Sequence, residues 1–211
     1  HAVGFARQIG KLPLLCQSSP GFLVNRVLGP YLDEAMRLYN EGVTAETIDR
    51  AARNFGMPMG PIELADSVGL DIGLHVAEGL AEITGREVPE ALRTMVANEQ
   101  LGRKTGQGFY RYENGKTQRQ PLPSAAIDPE VETRLVYALL NESANCLSEG
   151  VVSTADEVDA GVIFGTGFAP FRGGPLTYAK QLGVSHVVAE LNRLSDAYGD
   201  RFEASAGWSL L

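Results

Sequence analysis

The sequence predicts an all-α protein of two tandem, homologous helical domains, behind a short helix–strand stub. Apolar residues recur at helical spacing through most of the 211 residues. Glycine and proline stand where those helical runs stop and start. The pattern of the first half, from Arg26 onward, also returns in the second half from Arg134 onward.

The elements follow in order. Residues 2–10 read as a short helix closed by Gly10, and residues 11–17 as a short strand carrying Leu12, Leu14, Leu15 and Cys16. A lone strand needs a sheet to join. Residues 1–17 are therefore expected to be the remnant of a preceding domain, with residues 12–17 disordered, folded back, or paired with another molecule. His1 is no natural initiator, which fits a processed or excised product.

Ser18, Ser19 and Pro20 open the first long helix, with Ser18 or Ser19 as its N-cap. Leu23, Val27, Leu28, Tyr31, Leu32, Ala35 and Met36 give it one buried face, and Gly42 ends it. Thr44 with Thr47 leads a helix over 48–55, closed by Gly56. Pro61 begins another through Val68, and two more run over 72–83 and 88–99. Residues 102–110 form a glycine-punctuated turn running into a short extended tail. Residues 111–126, polar and with Pro121 and Pro123, read as a linker.

The second half repeats this plan. Leu135, Val136, Leu139, Leu140 and Ala144 fall at the spacing of the first long helix. Arg134 answers Arg26, Glu142 answers Glu34, and Glu149-Gly150-Val151 answers Glu41-Gly42-Val43. After a small insertion Asp159 answers Asp49, and Gly174-Pro175 answers Gly60-Pro61. The domains expected are 18–112 and 127–211, joined through 113–126.

Shared features are candidates for the fold, and differences are candidates for function. The sharpest difference is Asn25, which becomes Thr133. A primary amide near a helix N-terminus can offer two donors to a polarised oxygen, helped by the helix dipole. The alternative is that Asn25 caps the helix or bonds local backbone. Pro30 removes a donor that would have bonded the carbonyl of Arg26, so a kink or loosened turn is expected there; copy two has Ala138 at that place.

Other features point elsewhere. A net charge of −8 leaves no basic stripe for nucleic acid, and no apolar run approaches a membrane span. Cys16 and Cys146 stand in apolar contexts without a CxxC partner, which suits reduced thiols in the cytoplasm. His75 and His186 lack metal-ligand spacing, so no metal site is expected. Gly165-Thr166-Gly167 fails as a dinucleotide loop, because it follows a helical segment and Pro170 replaces the third glycine. Glu63 and Asp66 share a helix face and read as a solvated face or cap. Phe168, Phe171 and Tyr178 read as core.

Ser18-x-x-Gly21-Phe22-Leu23-Val24-Asn25-Arg26, Pro30-Tyr31 and Pro58-Met59-Gly60-Pro61-x-Glu63-Leu64-x-Asp66 resemble the carboxy-terminal domain of the 3-hydroxyacyl-CoA dehydrogenases. Residues 102–112 resemble the end of that domain. The second copy, with Gly167-Phe168-Ala169-Pro170-Phe171-Arg172-Gly173-Gly174-Pro175, is similar to the extra helical domain of multifunctional β-oxidation enzymes. The resemblance implies oxidation of L-3-hydroxyacyl-CoA with NAD bound by a Rossmann domain that lies outside this sequence, together with a His-Glu pair. It assigns Asn25 to the active site as a supporting residue, with no cofactor-binding residue in this chain. It also implies an upstream enoyl-CoA hydratase part, and offers acyl-CoA, a thiolase subunit and further copies of the chain as candidate partners. The resemblance further implies that copy two packs on copy one as an internal pseudo-dimer, a structural partner in which Thr133 is tolerated. The competing expectations are a purely structural oligomerisation and docking module, and the helical half of another hydroxyacid dehydrogenase.

Overall fold

A computed structural model describes residues 1–84, 88–120 and 126–211. Helix α1 (Ala2–Gln8) buries none of its residues. The strand expected over 11–17 is not formed. The segment is folded back instead, with Gln17 N–H donating to the Val151 carbonyl at 2.9 Å. The segment pairs with no strand and so has no ladder; side-chain burial adds to that one bond. Leu14 and Cys16 pack on the core, while Leu12 and Leu15 are 72% and 73% exposed.

Helix α2 (Val24–Asn40) begins later than the serines predict. Gly21 and Phe22 both take left-handed backbone (φ 76° and 48°), Phe22 N–H bonds the Ser19 carbonyl, and the N-cap is Leu23 with no side-chain bond. The helix is continuous through Pro30. Thr44 caps α3 (Ala45–Phe55), its Oγ1 accepting Thr47 N–H at 3.3 Å, and α4 (Pro61–Val68) starts at the expected proline. Helices α5 (Leu70–Thr84) and α6 (Glu90–Ala97) complete the first copy.

The segment after it is more ordered than a linker reading predicts. β1 (Arg111–Glu113) pairs antiparallel with β2 (Lys116–Gln118) about Asn114-Gly115, both at positive φ. Asn-Gly is the strongest short hairpin signal in the sequence. Arg119 then pairs with Glu63 and Gln120 N–H bonds Glu46, pinning the segment to copy one. Pro121 and Pro123 lie outside the described residues.

The second half retraces the path as α7 (Pro129–Ser148), α8 (Ala155–Thr166), α9 (Pro175–Leu182) and α10 (Val184–Tyr198). The matching Gly-Pro pairs have one physical cause. Asp49 accepts the N–H of Ile62 (2.8 Å) and Glu63 (3.1 Å) at the start of α4, and Asp159 does so for Leu176 (2.7 Å) and Thr177 (3.0 Å) at the start of α9. A Cβ on Gly60 or Gly174 would overlap that aspartate. Proline follows because a first-turn residue needs no N–H of its own.

The copies meet chiefly through α2 and α7. Arg26 bonds Glu142 (2.6 Å) and Glu149, and Arg134 bonds Glu34 (2.6 Å) and Glu41. These residues correspond one to one, so this is a single contact made twice about a pseudo-twofold axis, the signature of an isologous interface. Leu23, Val27 and Tyr31 share one core with Leu135, Leu139 and Phe168.

An inserted turn in copy two, Pro170–Arg172, ties the halves further. Arg172 donates Nε to the Phe55 carbonyl at 2.9 Å and lies 4.1 Å over the Phe55 ring. Phe171, expected in the core, is 76% exposed because it rides on the outside of this insertion. Phe168 is fully buried and Tyr178 packs edge-on to Phe55.

Candidate functional site

Helices α2, α4, α5 and α6 enclose a groove of about 200 Å³. Leu32, Met36, Leu64, Val68, Val76 and Leu92 contribute to its apolar walls, and polar groups enter at Asn25, Arg26, Asp33 and Glu142. Asn25 stands in the first turn of α2, and Met36 lies about 16 Å further along that helix axis. The groove therefore has an amide at one end and hydrocarbon along its length. That arrangement suits an amphipathic ligand with a polar reacting centre and an apolar tail.

Asn25 is exposed, and among the described residues its side chain has no hydrogen-bond partner. Capping and local backbone bonding, the alternatives for this residue, do not occur. Its counterpart does bond locally, Thr133 Oγ1 donating to the Pro129 carbonyl at 3.1 Å. The amide thus keeps two donors for a ligand, at the positive end of α2. Arg26, next in sequence, is turned away to the second copy, where it holds Glu149 charged and below its ordinary carboxyl range. Asp33 Oδ2 accepts Arg37 Nε at 2.9 Å, while Oδ1 is buried without a partner among the described residues.

The remaining candidates are structural. Asp66 is no solvated group: it is 1% exposed and accepts the N–H of Phe109 (3.0 Å) and Tyr110 (2.8 Å) and the Tyr112 hydroxyl (3.0 Å). It folds residues 102–112 back over α4, and burial pushes its carboxyl up. Glu63 joins Arg53, Arg119 and Thr117 instead of facing water alone. His75 and His186 are exposed. Cys16 and Cys146 are free thiols, and burial pushes Cys146 up to about 12, which leaves it inert at neutral pH. Gly165-Thr166-Gly167 closes α8, with Gly167 left-handed (φ 74°) against Pro58 and Gly165 against Val24, so this loop has no room for a dinucleotide phosphate.

Sequence reasoning missed two parts of this site. The groove walls on α5 and α6 carry no motif, since their residues look like any helical core. The cross-pairing of Arg26 was legible in principle: in each copy two glutamates follow the arginine at the same two spacings, and a twofold contact would pair them across copies.

Residues 21–112 match the family described as 3-hydroxyacyl-CoA dehydrogenase, C-terminal domain. The helical fold, the groove and this match point to one class: residues 21–112 are similar to the C-terminal domain of the 3-hydroxyacyl-CoA dehydrogenases. More particularly, it is similar to the fatty acid oxidation complex subunit alpha of Shewanella sp. (strain MR-4), with 39% identity over 220 residues, 95% of this chain and 31% of the relative. The Vibrio cholerae protein of the same name is 37% identical, again over 31% of its length. The chain thus spans about a third of these relatives. Among solved structures, the dehydrogenase part of multifunctional enzyme 1 from C. elegans has a TM-score of 0.72 and 27% identity, over 99% of this chain and 52% of that one. The 3-hydroxybutyryl-CoA dehydrogenase of Escherichia coli shares the fold, with a TM-score of 0.82 at 24% identity over 98% and 62%.

Proposed function

We propose that this chain is the C-terminal part of an NAD-dependent dehydrogenase that converts L-3-hydroxyacyl-CoA to 3-ketoacyl-CoA, within a multifunctional enzyme of fatty-acid β-oxidation. The observation that carries this reading is the unpartnered amide of Asn25 at the polar end of an apolar groove. As a hydroxyl carbon becomes a carbonyl, charge collects on its oxygen. Donors fixed in advance near that oxygen stabilise the change, because they need not reorganise. The apolar groove receives the acyl tail and excludes water. The described residues offer no fit for NAD, so the cofactor and the acid–base pair are assigned to the part of the protein that this chain does not span, as is an enoyl-CoA hydratase part. The free thiols and the metabolic class support a cytoplasmic enzyme, and its relatives' place in a complex supports a thiolase subunit as partner.

In the full-length protein, Asn25→Ala should lower turnover of a 3-hydroxyacyl-CoA by about a hundredfold with the fold intact. Unchanged turnover would favour a docking module without a role in the chemistry. The 211-residue chain alone should reduce no NAD in the presence of a 3-hydroxyacyl-CoA, since an amide cannot remove a proton. Measurable reduction would place the acid–base pair inside this chain.

A further inference from the structure

We infer that the second copy takes part in the reaction by positioning: Glu142 and Glu149 clamp Arg26 and so fix the turn that presents Asn25. The inference rests on the dehydrogenase reading and adds to it a task for the copy that carries no asparagine.

The reasoning starts from what holds the first turn of each matching helix. In α7 that turn is self-sufficient. Asp128 caps it by accepting Glu130 N–H at 2.9 Å, Thr133 bonds the Pro129 carbonyl, and Ala138 keeps the backbone N–H that the Arg134 carbonyl needs. In α2 all three ties are missing. Leu23 offers no side-chain cap, the Asn25 side chain makes no local bond, and Pro30 has no N–H for the Arg26 carbonyl. The two residues before it, Gly21 and Phe22, are left-handed, and Phe22 is strained there because only glycine adopts that conformation without cost.

The turn keeps its backbone bonds, Asn25 N–H to the Gly21 carbonyl (3.2 Å) and Val27 N–H to the Leu23 carbonyl (3.0 Å), and the buried Leu23 and Val27; the polar side-chain tie added to these is Arg26. It donates Nε and Nη2 to Glu142 Oε1 at 3.0 and 2.6 Å and both Nη atoms to Glu149, across the interface. A planar guanidinium held by two carboxylates has a fixed direction as well as a charge. It is bonded to the residue that follows Asn25, so it sets where that amide stands. Glu142 also lines the groove. Small displacements of a catalytic donor cost large factors in rate, so the clamp acts on the chemistry through position and not through contact with the substrate.

The pseudo-symmetry supplies a matched control. Glu149 and Glu41 are equivalent, 47% and 48% exposed, and each chelates its arginine through both oxygens. Only the first serves a turn that bears Asn25. The test is Glu149→Gln beside Glu41→Gln and Asn25→Ala in the full-length enzyme, with kcat, KM for 3-hydroxyacyl-CoA, and Tm measured on each. The expected result is a fall in kcat of roughly tenfold for Glu149→Gln, with KM within about twofold. Glu41→Gln should match its change in Tm and leave kcat within about twofold. Equal kcat in the two glutamate variants, while Asn25→Ala is impaired, would overturn the positioning role and leave the dehydrogenase reading standing. An unimpaired Asn25→Ala would overturn both. If Glu149→Gln fails to fold, Glu142→Gln is read in the same way against its own counterpart, Glu34→Gln.

Discussion

Replacing Glu34 by alanine is expected to destabilise the chain by about 3–5 kcal/mol, the largest stability effect anticipated for any single side chain here. Glu34 is 1% exposed, and its two oxygens accept Arg134 Nε at 2.6 Å and Arg201 Nε at 2.7 Å. Truncation removes a buried carboxylate shared by two guanidiniums. Arg134 keeps Glu41, and it keeps its stacking 4.1 Å over the Tyr198 ring, but it is 4% exposed and cannot find water for the lost bonds. Arg201 is left against Tyr198 and Phe202. The equivalent change at Glu142 should cost less, because Arg26, at 10% exposure, is closer to solvent than Arg134 at 4%. Urea unfolding of both variants decides the matter. A loss below about 1 kcal/mol at Glu34, or a larger loss at Glu142, would show that the pair is screened and that the apolar interface between α2 and α7 holds the copies together unaided.

The contrast between these residues shows what the sequence could and could not reveal. The helices were legible because apolar spacing and Gly-Pro punctuation act locally: Pro61 and Val68 bound α4 as read, and Thr44 caps α3. The duplication was legible because residues that hold the fold stay at fixed spacing in both copies. The prediction for residues 11–17 failed for a reason of context. Alternating apolar residues make a strand only when they reach a free sheet edge, and residues 11–17 do not pair with the short β1–β2 hairpin. Asp66 was misread because helical spacing tells which face a residue shares but not what folds over that face. The cover comes from residues 102–112, about forty positions later in the chain. Asn25 could be singled out by comparing copies, but its lack of a partner is a fact of three dimensions.

The last expectation concerns Asp49, where two physical effects oppose each other. Its carboxylate is fully buried, which penalises the charge, yet it accepts Ile62 N–H, Glu63 N–H and the Tyr110 hydroxyl at 2.8 Å, which favours it. Burial is the larger effect and pushes the group from its ordinary 3.8 up to about 6. A carboxyl raised on folding binds its proton more tightly in the native state. Its contribution to stability is therefore complete below pH 3.8 and is lost as pH rises through about 6, a change of about 3 kcal/mol. Asp49→Asn is nearly isosteric, keeps one acceptor, and cannot titrate. The stability of the original chain relative to this variant should thus fall between pH 4 and pH 7, measured by urea unfolding at each pH. A difference that instead grows with pH would mean that the three donors outweigh burial and that Asp49 is charged throughout. The same experiment at Asp159, which burial also raises and which holds α9 in the same way, tests whether the shared architecture carries a shared electrostatic cost. Tyr110 has no counterpart there, but Thr177 donates its hydroxyl to Asp159 at 2.7 Å, so the two sites should titrate in the same direction despite their different partners.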